Sequence, residues 1–345
     1  MGPGLKPPLR ELRIGIDLDP HALPDDTIAF LRLLGGPTLL HLEGRDASRT
    51  RVVTTLLHGN EPSGLRAVLR HLRAGTRPET NVLFFVGAVA TALEPPGFAW
   101  RALPGEVDAN RCWLATAHGP AAAVAAEVLE RIFDVSPECL VDLHNNTGHN
   151  PAYGVAFSLG HAEKSLVSLF ADRVVHTPLH LGTIVEATVP HFPSVTIECG
   201  RAGDPEADAI ARSGLERFVG WESIDFERPI QPLAVYEDPI RVLVREGSDV
   251  VFAGDADANV PLTISGTIDR HNFETLAAGT QIGWVAEDSD WPLEARDARG
   301  RECSRDLFSN DGGVLRTTQE RIPIMMTTNP EIALADCLFY SVRLS

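Results

Sequence analysis

Leu56-Leu57-His58-Gly59-Asn60-Glu61-Pro62-Ser63-Gly64 joins two stretches of different periodicity. Before it, Arg51 to Leu57 is rich in Val, Thr and Leu and reads as a buried strand. After it, Leu65, Val68, Leu69 and Leu72 recur at i, i+3, i+4 and i+7, one face of a helix. Pro62 suits a first helical turn, where a missing N–H costs nothing. His58 and Glu61 therefore stand where a strand hands over to a helix, the carboxyl edge at which α/β sheets bind ligands. A histidine and a carboxylate three residues apart offer two ligands to a hydrolytic zinc ion, which takes three from the protein and keeps one position open. The third is expected from His144, because Val141-Asp142-Leu143-His144 again ends a short apolar strand on a histidine.

The rest of the chain builds an α/β region around these two strand ends. After a Pro- and Gly-rich leader, Leu12 to Leu18 alternates like an edge strand, Asp25 to Leu34 reads as a helix stopped by Gly35-Gly36, and Pro37 to Leu42 is a second strand. Asn81 to Val89 is a continuous apolar run, a buried strand that completes a strand-helix-strand unit. Thr91 to Val107, punctuated by Pro95, Pro96, Gly97 and Pro104-Gly105, reads as a long functional loop. Ala121 to Phe133, Glu163 to Val174 and Asp208 to Trp221 read as helices. Cys139 to Leu143, Tyr153 to Leu159 and Ser194 to Ile197 read as strands. Past Pro229, Pro232 and Pro239 the character changes to short Val-, Ile- and Leu-rich runs split by Gly, Asn and Asp. The expectation is a catalytic domain over 1–230 and a smaller all-β domain over 231–345.

Composition narrows the function classes. With 345 residues, 44% hydrophobic and 22% charged, the chain is an ordinary soluble enzyme in kind. Its formal charge of −17 argues against a nucleic-acid backbone or an anionic membrane as partner. A small anion is still attracted by a few local arginines. The five cysteines are scattered without a C-x-x-C pair, so neither a disulfide framework nor a thiolate zinc site is expected, and a cytoplasmic location follows by default. No run reaches the length of a membrane span.

Two further blocks supply parts that a zinc amidohydrolase needs. In Val107-Asp108-Ala109-Asn110-Arg111-Cys112-Trp113, Arg111 offers a planar fork of donors for a substrate carboxylate and Asn110 a neutral donor beside it. Asp108 suits the far ring nitrogen of a zinc histidine, the partner that sets its tautomer; the bland alternative is a turn in which Asp108 caps a helix. In Val195-Thr196-Ile197-Glu198-Cys199-Gly200 a carboxylate ends an apolar strand, placed to take a proton from water and return it to a leaving nitrogen. The other histidines read as surface or satisfied polar groups. His71 falls on the exposed side of its helix, and His149 is a weak candidate to support His144.

Together His58-Gly59-Asn60-Glu61, Asp108-Ala109-Asn110-Arg111, Asp142-Leu143-His144-Asn145 and Ile197-Glu198 resemble, in content and in order, the succinylglutamate desuccinylase/aspartoacylase family, a branch of the zinc carboxypeptidase fold. The resemblance spans about residues 50–200 and implies a mixed sheet flanked by helices with a smaller C-terminal all-β domain that narrows access to the site. It implies one zinc ion on His58, Glu61 and His144, Glu198 as general base, and Asn110 with Arg111 as the clamp for an amino acid's α-carboxylate. It also implies that Arg101, in the long loop, polarises the scissile carbonyl. The implied substrate is a small anionic N-acyl amino acid. Aspartoacylase carries an arginine shortly before its catalytic glutamate that helps hold the substrate's side-chain carboxylate. Leu181 to Ile197 has neither Arg nor Lys, so N-acetylaspartate is not expected as the substrate, and His191 is a candidate replacement. The alternatives are a zinc carboxypeptidase acting on peptide C-termini, which would use the same residues, and a non-catalytic metal-binding protein, against which Glu198 and Arg111 speak.

Overall fold

The computed structural model describes residues 8–224 and 228–345; the leader before residue 8 lies outside them. The chain forms two compact units. The first runs to Asn145 and takes in 152–174 and 180–233; the second joins 146–151 and 175–179 to the stretch from Ala234 to Ser345.

The first unit is a mixed sheet flanked by helices. Its strands are β1 (Arg10–Arg13), β2 (Thr38–Leu42), β3 (Asp46–Thr55), β4 (Thr80–Val86), β5 (Cys139–Asn146), β6 (Tyr153–Ala156), β7 (Arg173–His176) and β8 (Ser194–Arg201). Their spatial order begins β1-β2-β4-β3-β5-β8-β6. β3 pairs in parallel with both β4 and β5, which sets His58, just past β3, and His144, near the carboxyl end of β5, at the same edge of adjacent strands. β2 runs antiparallel to β4, and β6 to β8. The helices are α1 (Thr27–Leu34), α2 (Ser63–Arg73), α3 (Val89–Leu93), α4 (Pro120–Asp134), α5 (His161–Ser168), α6 (Ile184–Thr188) and α7 (Pro205–Gly220).

The period of two along a strand sorts the core into two layers. Leu39, Val52, Leu83 and Leu140 face α4, which buries Ala125, Val128 and Ile132 against them. From the same strand β3, Arg51 points the other way, where its guanidinium lies 5.9 Å from the Phe218 ring of α7. Arg51 is fully buried and donates to the carbonyls of Phe218 and Trp221 at 2.6 and 2.8 Å and to Glu138 at 3.0 Å. It thus satisfies carbonyls that the end of a helix leaves without partners.

Local chemistry sets most element ends. Asp26 accepts the Ala29 N–H at 2.7 Å to start α1, and Gly35 at φ 71° stops it. Gly64 opens α2 close against the sheet, since a Cβ there would meet Cβ of Leu143 at 2.7 Å. Four expectations differ. The edge strand is Arg10–Arg13 and not Leu12–Leu18, because the chain turns at Gly15, whose φ is 85°. Glu163–Val174 is not one helix: α5 ends at Ser168 and the Val174-Val175 pair joins β7, as β-branched residues favour. The long loop opens with α3, and α6, capped by Thr183, is an unforeseen short helix. His71 is buried rather than exposed, because α2 packs against α1 and α7 as well as the sheet and keeps only a narrow solvent strip. Its ring is tilted against Phe84 at 6.4 Å, and its Nε2 has no hydrogen-bond partner.

In the second unit, β9 (Ala234–Val244) pairs antiparallel with β13 (Leu293–Arg296) and β17 (Phe339–Leu344), and β17 with β16 (Ile322–Ile324). A separate five-stranded sheet follows the order β10 (Val250–Ala253), β11 (Leu262–Ser265), β12 (Gln281–Val285), β15 (Val314–Thr317), β14 (Phe308–Asp311). Two short helices, α8 (Ser304–Leu307) and α9 (Pro330–Ala335), accompany them over a core that includes Val242, Leu262, Leu293, Leu315 and Phe339. His149 belongs to this unit, its N–H donating to Asp269 at 3.3 Å and its carbonyl accepting from Asn272 at 2.9 Å.

Burial depresses the pKa of His71 below the ordinary histidine value of 6.5, with Glu216 acting weakly in the other direction. The unfolded chain therefore binds a proton near pH 6.5 that the folded chain resists, so His71 lowers stability as pH falls through that region. His71→Leu is expected to raise the melting temperature over the native chain at pH 5 by more than at pH 8; an advantage independent of pH would show that His71 binds its proton equally well in the folded and unfolded states.

Candidate metal centre

The approach to the site is strained where β3 ends. Leu56, buried, has φ 54°, a left-handed conformation that costs a side-chain-bearing residue on the order of 1–3 kcal/mol. Its carbonyl accepts the Ala88 N–H at 2.6 Å, and the chain then turns so that His58 follows the strand edge. Gly59 leaves no room for a side chain: a Cβ would come within 2.7 Å of Thr91 Cγ2 and the Trp100 carbonyl. The Gly59 N–H donates to the Arg101 carbonyl at 3.0 Å, which binds the ligand loop to the long loop.

His58, Glu61 and His144 are all buried, and a ligand atom from each lies within 4.8 Å of the others. Glu61 is the centre of the group. His58 Nδ1 is 2.8 Å from its Oε1 and His144 Nδ1 is 2.6 Å from its Oε2. The far nitrogens are also held, His58 Nε2 by Asp108 at 2.9 Å and His144 Nε2 by Asp142 at 2.8 Å. Each imidazole thus lies between two carboxylates. The burial of Glu61 opposes its ionisation, but His58 and His144 outweigh that and hold its pKa well below the usual range. Burial likewise opposes a charge on His144, and Asp142 and Glu61 outweigh it, raising its pKa well above the ordinary value.

This donor set fits a divalent metal ion. Both Nδ1 atoms and the Glu61 carboxylate converge, and the Nε2 atoms are turned to acids in the carboxylate–histidine–metal pattern. Three buried or half-buried carboxylates gathered on two imidazoles call for positive charge between them. Two nitrogens and one carboxylate, without thiolate, make a ligand set of the kind found in hydrolytic zinc sites.

The other expected residues converge on the same place. Asp108 does both things weighed for it: Oδ1 contacts His58 and also caps the Ala109–Arg111 turn by accepting the Asn110 N–H at 2.8 Å. Arg101 donates to Asp108 at 3.0 Å and stands 3.5 Å from Glu61. Asp108 is held far below the usual range: its burial works against ionisation, and His58, Arg101 and Arg111 overcome it. Asn110 is buried, with its amide nitrogen 3.3 Å from His144 Nε2 and its oxygen accepting the Ile184 N–H at 3.2 Å. Arg111 donates to the Asn110 carbonyl at 3.0 Å. Glu198 is buried on β8, and burial pushes its carboxyl up to about 8, although His144 and Arg101 pull in the opposite direction. His191 lies away from this group, its ring 4.8 Å from that of Phe133.

Two contributors were not read from the sequence. Asp142 precedes His144 by two residues on a strand, and that spacing, which places both side chains on one face, was a usable signal. Thr54 of the neighbouring strand orients Asp142 by donating to it at 2.6 Å. Asn145 carried no local signal. Its N–H donates to Glu61 at 3.2 Å, its Oδ1 accepts the Ser63 N–H at 3.0 Å, and its Nδ2 donates to the Ser63 hydroxyl and the Gly200 carbonyl at 3.0 and 3.2 Å. One side chain therefore ties together the strand ends that bear His58, His144 and Glu198. Ser63 passes the tie on to Asp208 at 2.6 Å, where Arg66 also donates at 2.9 Å.

Solved structures with a similar arrangement of elements include succinylglutamate desuccinylase/aspartoacylase proteins. One from Rhodobacter sphaeroides superposes with a TM-score of 0.58 at 15% identity, over 89% of this chain and 88% of its own. A succinylglutamate desuccinylase from Vibrio parahaemolyticus gives 0.57 at 15% identity over 89% and 86%. The chain has their fold. A product-bound ectoine utilization protein from Ruegeria pomeroyi shares it too, with a TM-score of 0.53 at 14% identity over 89% and 88%. No family model and no curated protein matches the sequence. In this desuccinylase/aspartoacylase fold, then, the residues of the candidate centre sit just past β3 and in the carboxyl halves of β5 and β8.

Asn145→Ala leaves all the direct ligands in place and removes three of the four hydrogen bonds that Asn145 makes around them. In a titration of metal-stripped protein with Co2+, followed by visible absorption, it is expected to bind about 10- to 100-fold more weakly than the native chain. Unchanged affinity and an unchanged spectrum would show that Asn145 does not position the ligands.

Proposed function

We propose that the protein is a zinc-dependent amidohydrolase that cleaves a small N-acyl amino acid into a carboxylate and a free amino acid, with one zinc per chain on His58, Glu61 and His144. The observation that carries this reading is the convergence of that ligand set with Glu198 and Arg101 at neighbouring strand ends. Bound zinc supplies Lewis acidity toward water and the amide carbonyl. Glu198 takes a proton from the attacking water and returns it to the leaving nitrogen, and a buried carboxyl with a raised pKa is suited to hold that proton near neutrality. A cation on Glu61 and the histidines would draw that pKa down toward the working range.

Arg101 donates to the carbonyl oxygen as negative charge builds on it. Preorganised donors of this kind are worth about 3–4 kcal/mol. Its contact with Glu61 at 3.5 Å is longer than that with Asp108 at 3.0 Å, so the substrate oxygen competes with a weak partner there. Arg111, with Asn110 bracing the turn that carries it, grips the α-carboxylate of the amino-acid half. Asp108 and Asp142 hold the histidine rings in orientation and keep their Nδ1 atoms turned to Glu61.

Zinc-loaded protein is expected to hydrolyse members of a panel of N-acetyl and N-acyl amino acids. Release of the C-terminal residue from long peptides without any deacylation would overturn the reading in favour of a carboxypeptidase. Glu198→Gln is expected to retain zinc and lower kcat by about 10²-fold or more; near-native turnover would remove Glu198 from the mechanism. Arg111→Lys, which loses the planar fork, should reduce kcat/KM for the acid substrate far more than for its amide analogue. Equal losses would mean that Arg111 does not touch the carboxylate.

A further inference from the structure

Within the first unit, beside the metal-facing residues, lies a cavity of about 90 Å³. Its walls are largely apolar, formed among others by Leu57, Phe85, Val89, Trp113 and Val124. Arg101 and Glu106 are the charged side chains that line it among the described residues. Arg101 links the cavity to the chemistry, since this lining residue also contacts Glu61 and Asp108 through its guanidinium. Leu57 directly precedes His58, and Ala109, also on the wall, directly follows Asp108.

We propose that this cavity receives the end of the substrate's acyl group, and that the acyl group is a short aliphatic chain of about four or five carbons rather than a dicarboxylic one. The inference rests on the deacylase reading above. With the carbonyl oxygen on Arg101 and the amino-acid half on Arg111, the acyl substituent is the part of the substrate left to enter the space that Arg101 borders. A second carboxylate there meets no cation of its own. Arg101, the cation among the described residues that line the cavity, already pairs with Glu61 and Asp108, and a buried carboxylate without a partner is strongly disfavoured. Size sets the upper limit, since an apolar cavity of about 150 Å³ admits benzene and this one is smaller.

A kinetic series of N-acetyl, N-butyryl, N-pentanoyl, N-octanoyl and N-succinyl derivatives of one amino acid tests the inference on zinc-loaded protein. kcat/KM is expected to rise about fourfold per methylene up to the pentanoyl compound, to fall for octanoyl, and to be at least tenfold lower for succinyl than for butyryl. Val124→Phe, which fills the cavity from α4, should move the preferred chain length down toward acetyl. A flat series, or succinyl preferred over butyryl, overturns the inference and leaves the deacylase reading standing if the acetyl compound is cleaved. Should no compound be cleaved, calorimetric titration with sodium pentanoate, acetate and succinate still decides about the cavity. Pentanoate at least tenfold tighter than the other two, with the difference lost in Val124→Phe, supports it; equal affinities, or a preference that Val124→Phe leaves intact, overturn it.

Discussion

Glu61 is clasped by two imidazoles, and the rest of the first unit is arranged around that contact. Its carboxylate is buried, each oxygen meets a histidine Nδ1, and the histidines are backed by Asp108 and Asp142. Removing so many charges from water is expensive, and their mutual attraction compensates only if every partner is well placed. A cation among the Nδ1 atoms and Glu61 would relieve the excess of negative charge that these acids create. Folding and metal affinity would then be linked: what holds the acids and rings in place would also set the affinity of the site.

The placing is done by backbone and neutral groups. Asn145 bonds to Glu61, to Ser63 and to Gly200, so the loops after β3, β5 and β8 share one amide side chain. Strain is stored beside them at Leu56, and Gly59 allows the chain to pass against Thr91 and Trp100. Farther from the chemistry, Arg51 anchors the middle of the same strand to the end of α7 through carbonyls that would otherwise lack donors. The β3 region is thus pinned by polar contacts at its middle and past its carboxyl end, and the apolar layer against α4 adds stiffness.

Fold and function are separable here. At about 15% identity, what this chain has in common with the solved desuccinylase and aspartoacylase structures is an arrangement of elements. Activity has to be argued from the site. The site has residues suited to a metal amidohydrolase, and the space next to Arg101 is largely apolar. That space bears on the selection of the acyl group rather than on the cleavage of the amide.

Residues near in sequence and governed by local periodicity were legible from the sequence alone. The apolar run before His58, the helix spacing after Pro62, the second strand ending on His144 and the third carrying Glu198 define three strand ends, and strand ends of an α/β sheet gather on one edge. Most other elements followed from the same periodicities. Misread elements were those whose state depends on neighbours distant in the chain: His71 is buried because α1 and α7 close over α2, and Val174-Val175 joins a strand instead of extending a helix. Only the tertiary structure decided which ring nitrogens face Glu61, that Asp142 and Asp108 take the others, and that Asn145 binds Ser63 across 82 residues of chain. The reason is that a sequence pattern specifies the face on which a side chain emerges, whereas a hydrogen bond needs its partner within about 3 Å at the right angle, and that is settled by how the strands pair and the helices pack.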